Sequence, residues 1–150
     1  MYVGLIIVFN AFENDTLKAS FVSSINAMTD VKVCLVCNSR SEQVFEILTE
    51  IAEQCDNTSV VNAKRKKSNT SSVRAGARYM HSKFNLKYLG FIIGFNDFEI
   101  LEFVRAFITY QQTIVTLNQK ELSGKAVKQT FYQSLFSVSE YLEKIASETH

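Results

Sequence analysis

A phosphate-binding loop is one function that the residues in the middle of the sequence could serve. The run Lys64–Lys67 contains four basic residues, and hydroxyl side chains and Arg74 follow it at the start of a helical pattern. Backbone N–H groups at a helix N-terminus attract anions, and a cation in the first turn opposes the helix dipole. The position of Arg74 is therefore better explained by contact with a ligand or a partner protein. For the run Lys64–Lys67, a solvated surface loop is the simpler interpretation.

The basic residues belong to a stretch that carries no acidic side chain. Between Asn57 and Asn96 there is no Asp or Glu, yet half of the chain's 16 Lys and Arg residues lie there. The net charge is only +1, so attraction of the whole protein to nucleic acid is not expected. The distribution indicates a local anion site instead.

Other reactive side chains lack useful spacing. Cys34 and Cys37 lie on a predicted strand, where residues three apart point to opposite faces, so we expect buried structural cysteines. His81 has no second His or Cys at ligand spacing, which argues against zinc. An odd number of cysteines, three, indicates a reducing, cytoplasmic setting. No apolar run approaches the roughly 20 residues of a transmembrane segment.

Short apolar runs alternate with helical patterns along the chain. Val3–Phe9 and Val31–Cys37 are continuous apolar runs of strand length, typical of strands buried on both faces. Shorter strands are predicted at about Thr58–Ala63, Leu89–Phe95 and Thr113–Leu117. The alternation predicts one α/β domain over residues 1–150, with a mostly parallel sheet, helices on both faces and right-handed crossovers.

Helical spacing of apolar residues marks the connecting segments. Asp15 or Thr16 is expected to cap the first helix, and Ser39 with Glu42 forms a predicted capping box for the second. A third helix follows the basic loop, and a fourth spans Phe98–Tyr110. A long C-terminal helix is predicted from the 3.6-residue spacing of Val127, Phe131, Leu135, Val138, Leu142 and Ile145.

The C-terminal helix carries more aromatic residues than one apolar stripe needs. Such a surface either folds back on the sheet or contacts another subunit. A homo-oligomer or a partner protein bound through this helix is therefore an expectation of the sequence.

The topology also predicts where a ligand would bind. In parallel sheets, ligands bind beyond the carboxyl ends of the strands. The loops at that edge are Asn10–Asp15, Asn38–Ser41, Lys64–Ser71 and Gly94–Asp97.

These same segments carry a family resemblance. The first strand ends in Phe9-Asn10 with Glu13 soon after, and the other three segments are Val33–Ser41, Lys67–Ala77 and Leu89–Asp97. In this arrangement the chain resembles the nucleotide-binding half of a family-two glycosyltransferase of the GT-A type. Thr113–Leu117 and the basic segment Lys120–Lys128 are similar to the dolichyl-phosphate-glucose-synthase-like branch of that family.

The resemblance implies a ligand and the residues that would hold it. The donor of the family is a nucleotide-diphosphate sugar, here of UDP or GDP type, bound with Mg²⁺ or Mn²⁺. Phe9, Asn10, Glu13 and Asn38 would lie around the base and ribose. Lys67 and Arg74 would lie near the diphosphate, and Asp97 would contact the metal.

The departures from the family pattern concern catalysis. Asn38 stands where the family has a uracil-contacting Asp. Gly94-Phe95-Asn96, with Asp97 one step later, stands where an Asp-x-Asp motif supplies the carboxylate oxygens that a hard divalent cation prefers. No residue matches the base that an inverting transfer needs, and the acceptor-binding part has no counterpart.

Three hypotheses follow from the sequence. The first is a nucleotide-sugar-binding, glycosyltransferase-like protein with weakened or lost catalysis and no assigned catalytic residue. The second is a non-catalytic nucleotide-binding, anion-binding or assembly module of the same fold, without a cofactor. The third is an unrelated doubly wound domain whose basic loop binds phosphate.

Overall fold

The computed structural model describes residues 3–63, 68–124 and 135–148. A parallel sheet forms its centre, with the strands in the order β3-β2-β1-β4-β5. The strands are β1 Val3–Phe9, β2 Val31–Cys37, β3 Thr58–Asn62, β4 Tyr88–Ile93 and β5 Leu135–Ser137. Every residue of β1 is buried, because this strand lies in the middle of the sheet and both of its faces are covered. The structure confirms the predicted α/β class and parallel sheet.

Helices cover both faces of the sheet. They are α1 Lys18–Asn26, α2 Glu42–Glu53, α3 Asn69–Lys83, α4 Asp97–Ser123 and α5 Val138–Glu148. Helix α3 packs on one face, with Val73, Ala77 and Met80 in the core that it shares with β1 and β2. The other four helices contribute to the core on the opposite face. The connection from α4 to β5 runs through residues 125–134, outside the described part of the chain.

The strand order reverses direction between β1 and β4. The chain steps from β1 to β2 and β3 on one side, and α3 then leads back across the sheet to β4 on the other side of β1. This reversal is the topological switch point of an open parallel sheet, where the loops at the carboxyl ends diverge and leave a crevice.

Two of the predicted helix starts differ from the structure. Asn14, not Asp15 or Thr16, caps a short 3-10 turn (Asp15–Leu17) that precedes α1. Ser41 caps α2 by accepting a hydrogen bond from the Val44 N–H group, whereas the Ser39 hydroxyl accepts one from the Ser41 N–H group. Both errors are local, because several neighbouring polar residues can accept the same backbone donors.

The predicted fifth strand, Thr113–Leu117, is wrong. These residues continue α4, whose backbone leaves helical geometry only at Tyr110 (φ −108°, ψ 17°). Ile114 and Val115 are buried in the core that four of the helices share with the sheet. A β-branched residue costs at most about 0.7 kcal/mol in a helix, whereas burying its side chain contributes about 1.5–3 kcal/mol. Packing therefore outweighs the strand preference of this segment.

The predicted long C-terminal helix is also wrong in its extent. Leu135 lies in β5, an edge strand of three residues that pairs with β4, and α5 begins only at Val138. Phe136 packs over Gly90, where an added Cβ would lie 2.6 Å from its ring. The close approach of this ring fixes the strand at the sheet edge. Val127 and Phe131, which the prediction included, lie outside the described residues.

Helix α5 folds back on the protein rather than projecting from it. Val138, Tyr141 and Ile145 are buried in the core that α4 and the sheet also form. The Phe136 and Tyr141 rings stack with centroids 5.1 Å apart. Within the described part of the chain, no helix combines the length and the apolar character that crossing a membrane requires.

Candidate functional site

A cleft opens at the switch point, between the carboxyl ends of β1 and β4. Its volume is about 100 Å³. We call it the switch-point cleft, and it is lined by Asn10, Ala11, Glu13, Gly94, Phe95, Asn96, Asp97 and Ile100. Two of the four loops predicted at this edge, the one after β1 and the one after β4, therefore meet in one site.

Asp97 fastens these two loops together. Its Oδ2 atom accepts hydrogen bonds from the backbone N–H groups of Glu13 (2.7 Å) and Asn14 (2.9 Å). The residue is 6% exposed and lies in the first turn of α4, where the helix dipole also stabilises a negative charge. We call this pair of hydrogen bonds the Asp97 clamp. The Asp97 carboxylate, which the resemblance predicts to contact a metal, thus joins the two loops that line the cleft.

The turn that leads into α4 is held by a reciprocal pair of caps. The Asn96 Oδ1 atom accepts from the Glu99 N–H group (2.9 Å), and the Glu99 Oε1 atom accepts from the Phe95 N–H group (2.6 Å). At Gly94 an added Cβ would lie 2.5 Å from the Ile100 side chain and 3.1 Å from its backbone nitrogen, so only glycine fits there. The turn consequently holds the Phe95 ring outside the core, with 91% of the residue exposed.

Three asparagine amides join the ends of β1 and β2 to the start of α3. The Asn38 Nδ2 atom donates to Asn10 Oδ1 (2.6 Å), and the Asn10 Nδ2 atom donates to Asn69 Oδ1 (3.0 Å). Asn38 is fully buried, and its backbone N–H group bonds the Phe9 carbonyl. We call this set the amide chain. It makes the strand ends beside the cleft polar without adding charge.

The N-terminus of α3 lies at the end of the amide chain. Ser68 caps the helix by accepting from the Ser71 N–H group. Ser72 is fully buried, and its hydroxyl has no hydrogen-bond partner among the described residues. Ser72 lies one turn before Gly76, where an added Cβ would lie 2.9 Å from Ile6 and 3.0 Å from Val36, so Ser72 lies on the face of α3 that covers the sheet.

The predicted nucleotide-binding residues and the predicted metal ligand Asp97 fall into three groups. Asn10, Glu13 and Asp97 line the cleft, and the buried Asn38 side chain donates a hydrogen bond to Asn10. The Phe9 ring packs among Phe12 and Phe21 with no exposed surface, so its side chain offers a ligand nothing to contact. Arg74 is exposed on α3, and Lys67 lies outside the described residues.

Asn69, Phe95 and Asn96 lie in the predicted ligand-binding loops, but the sequence assigned none of them a role in the site. For Asn96 a signal was present, because Asn96-x-x-Glu99 before an apolar helical pattern is a capping-box pattern. Asn69 carried no such signal, since its contact with Asn10 joins residues 59 positions apart.

The cysteines do not form a reactive pair. Cys34 and Cys37 belong to the cores on opposite faces of the sheet, as predicted from strand geometry. Burial raises the pKa of the Cys34 thiol to about 12, and burial also raises the pKa of Cys37. Both thiols therefore stay protonated near neutral pH, and a protonated thiol is a poor nucleophile. No group of three or more His, Cys, Asp or Glu side chains among residues 3–63, 68–124 and 135–148 could hold a metal ion.

Comparison with protein-family models, with curated proteins and with solved structures gives no match for this chain. The fold and the site therefore define its class on their own. It is an α/β protein with a five-stranded parallel sheet and a polar cleft at the switch point.

Proposed function

We propose that this chain is a GT-A-like domain that binds a nucleotide-diphosphate sugar at the switch-point cleft and has lost the transfer reaction. The observation that supports binding is the position of the cleft. Open parallel sheets bind nucleotides at the switch point, outside the carboxyl ends of the strands. The cleft lies there, and residues from the ends of β1 and β4 line it.

The polar groups at this edge change in character from one side to the other. Glu13 and Asn96 line the cleft, the neutral amide chain leads away from it, and the N-terminus of α3 with Arg74 follows. A nucleotide is complementary to this arrangement, because it has an uncharged base at one end and negatively charged phosphates at the other. The phosphates would lie at the α3 side, where backbone N–H groups favour anions.

The loss of transfer is argued from Asp97. A divalent cation that bridges two phosphates needs several carboxylate or carbonyl oxygens. The Asp97 Oδ2 atom already accepts two backbone hydrogen bonds, and no group of three or more His, Cys, Asp or Glu side chains among the described residues could hold a metal ion. Nucleotide binding is therefore expected without a requirement for metal.

Calorimetric titration with UDP and with GDP, with and without Mn²⁺, tests this proposal. The cleft is small compared with ligand sites of roughly 300–1,000 Å³, so we expect a dissociation constant on the order of 10⁻⁴ M that Mn²⁺ does not change. Absence of binding of either nucleotide at millimolar concentration would refute nucleotide binding. Release of nucleotide from a nucleotide sugar in the presence of Mn²⁺ would refute the loss of transfer.

An apolar groove between α4 and α5 favours a second candidate function, assembly with another copy of the chain. The groove has a volume of about 390 Å³ and is lined by Glu102, Phe103, Ala106, Tyr110, Leu142, Ile145 and Ala146. Tyr110 is 43% exposed at the break in α4. Sedimentation at two protein concentrations, on the wild type and on Tyr110→Ser, tests it. Concentration-dependent dimers that the substitution removes support assembly, and a monomer at every concentration rules out self-association.

A further inference from the structure

Phe95 is the most exposed large hydrophobic side chain of the described protein, and it lines the switch-point cleft. Its exposure does not come from a loose loop, because the Asn96–Glu99 caps hold its backbone and Gly94 closes the turn behind it. An aromatic ring fixed in this way beside a polar cleft is a surface on which a flat ring can stack.

Two polar groups in the same cleft have unused hydrogen-bonding capacity. The Glu13 side chain has no hydrogen-bond or ion-pair partner among the described residues, since only its backbone bonds Asp97. The Asn96 side chain uses its oxygen for the helix cap, which leaves its Nδ2 donor available. The cleft therefore offers a carboxylate with two acceptor oxygens, an amide donor and an aromatic face.

This combination distinguishes between nucleobases. The Watson–Crick edge of guanine presents two adjacent N–H donors and one carbonyl acceptor, which match a carboxylate and an amide donor. Uracil presents two carbonyl oxygens on either side of a single N–H, so a carboxylate facing that edge meets one of the oxygens. Pairing of acceptor with acceptor leaves both desolvated and unpaired, which costs binding free energy.

We infer that the switch-point cleft binds the base of a guanine nucleotide, with Phe95 stacked on its face and with Glu13 and Asn96 at its hydrogen-bonding edge. The inference rests on the proposed nucleotide binding and identifies the base. The negative charge of Glu13 also orients the ligand, because it keeps phosphates out of the cleft and toward the α3 side.

Calorimetry with GDP, UDP and inorganic pyrophosphate in metal-free buffer tests the base preference. We expect GDP to bind about tenfold more tightly than UDP. Phe95→Ala should weaken GDP binding about tenfold, since stacking on an aromatic side chain contributes that much per base. Phe98→Ala is the matched control, because Phe98 is exposed in the same segment but does not line the cleft.

Glu13→Gln tests the edge contact. It should weaken GDP binding about tenfold and leave UDP binding unchanged or stronger. Asp15→Asn removes the same charge from an exposed position two residues away that does not line the cleft, and it should change neither. In the proton NMR spectrum, the guanine H8 signal should shift upfield with the wild type and not with Phe95→Ala, a change that a purely structural role of Phe95 would not produce.

The possible failures can be told apart. Equal affinities for GDP and UDP, or an unchanged GDP affinity in Phe95→Ala, would overturn the guanine inference while nucleotide binding stands. Equal affinities for all three ligands would leave only phosphate binding at the α3 side. If none of the three binds, the guanine inference and the proposed function both fail.

Discussion

The molecule has two hydrogen-bonded networks that join distant parts of the chain, and they differ in what they leave open. At the carboxyl edge of the sheet, the amide chain and the Asp97 clamp surround a cleft whose Glu13 and Asn96 side chains keep unused capacity. Between α4 and α5, Tyr141 accepts from Asn118 (3.2 Å) and donates to Glu121 (2.6 Å), which also bonds Lys144 (2.8 Å).

We call the second set the α4–α5 network, and its side chains bond one another. Asn118 and Tyr141 are almost fully buried, and within the described residues only the Asn118 Oδ1 atom of this pair lacks a partner. The comparison indicates that polar networks of similar size serve different purposes. The network at the carboxyl edge shapes the switch-point cleft, whereas the α4–α5 network attaches the last helix to the protein.

The largest expected effect is that of breaking the Asp97 clamp. Asp97→Ala leaves two backbone N–H groups without their charged acceptor and should lower the free energy of unfolding by about 3 kcal/mol. It should also abolish nucleotide binding, because the loop after β1 loses its attachment. Urea unfolding and calorimetry measure the two effects.

Asp97→Asn is the control for this prediction. The amide oxygen can still accept from both donors, so we expect Asp97→Asn to lower the free energy of unfolding by less than half as much as Asp97→Ala does. Equal losses for the two substitutions would show that the charge, rather than the acceptor geometry, holds the loop.

Tyr141→Phe should have a smaller effect and a different pattern. Removing the hydroxyl takes a hydrogen bond from the Glu121 carboxylate and one from Asn118, with an expected cost of about 1.5 kcal/mol. Nucleotide binding should not change, since the α4–α5 network does not line the cleft. A loss of binding in this variant would contradict the division of roles between the two networks.

The α4–α5 network should also weaken at high pH. Burial first, and then the hydrogen bond to Glu121, raises the pKa of Tyr141 from 10.0 to about 12. The folded protein therefore holds this proton more tightly than the unfolded chain does. The stabilisation is fully present below pH 10 and is lost as the pH rises toward 12. Other side chains titrate there too, so the measurement is the difference in unfolding free energy between wild type and Tyr141→Phe, which should shrink over this range.

The smallest expected effect is that of the ion pair at the rim of the α4–α5 network. The side chains of Lys144 and Glu121 are 53% and 45% exposed, and solvent screens an exposed ion pair so that it contributes little to stability. Lys144→Ala should therefore cost less than Tyr141→Phe and lose its effect in 1 M salt. Lys144→Arg, which keeps the charge, should be close to the wild type. A cost equal to that of Tyr141→Phe would mean that the rim, not the buried hydroxyl, holds α5.

The sequence predicted the centre of the sheet well and its edge poorly, for a physical reason. β1 and β2 are buried on both faces, so their apolar runs stand out and their predicted limits are those observed. β5 has three residues and is held by Phe136 on Gly90, a contact between distant positions that no local pattern reveals. Thr113–Leu117 has strand-forming residues, but the burial of Ile114 and Val115 in the core favours helix.

The candidate site, like the sheet, was predicted only in part. The rule for parallel sheets indicated the loops that hold Asn10, Glu13 and Asp97. It could not indicate that the Asp97 carboxylate turns to the backbone of residues 13 and 14, because that choice depends on a contact across 83 or 84 positions. Nor could it indicate that the caps of α4 leave Phe95 exposed.

The Asp97 clamp has a consequence for the exchange of amide hydrogens with solvent. Glu13 and Asn14 are exposed residues in a short loop, whose amides would ordinarily exchange quickly. Both amides are donors to one buried carboxylate, so each exchanges only when the loop separates from α4. Their exchange rates therefore report how often the cleft opens, and a ligand seated between the two loops should slow both amides together.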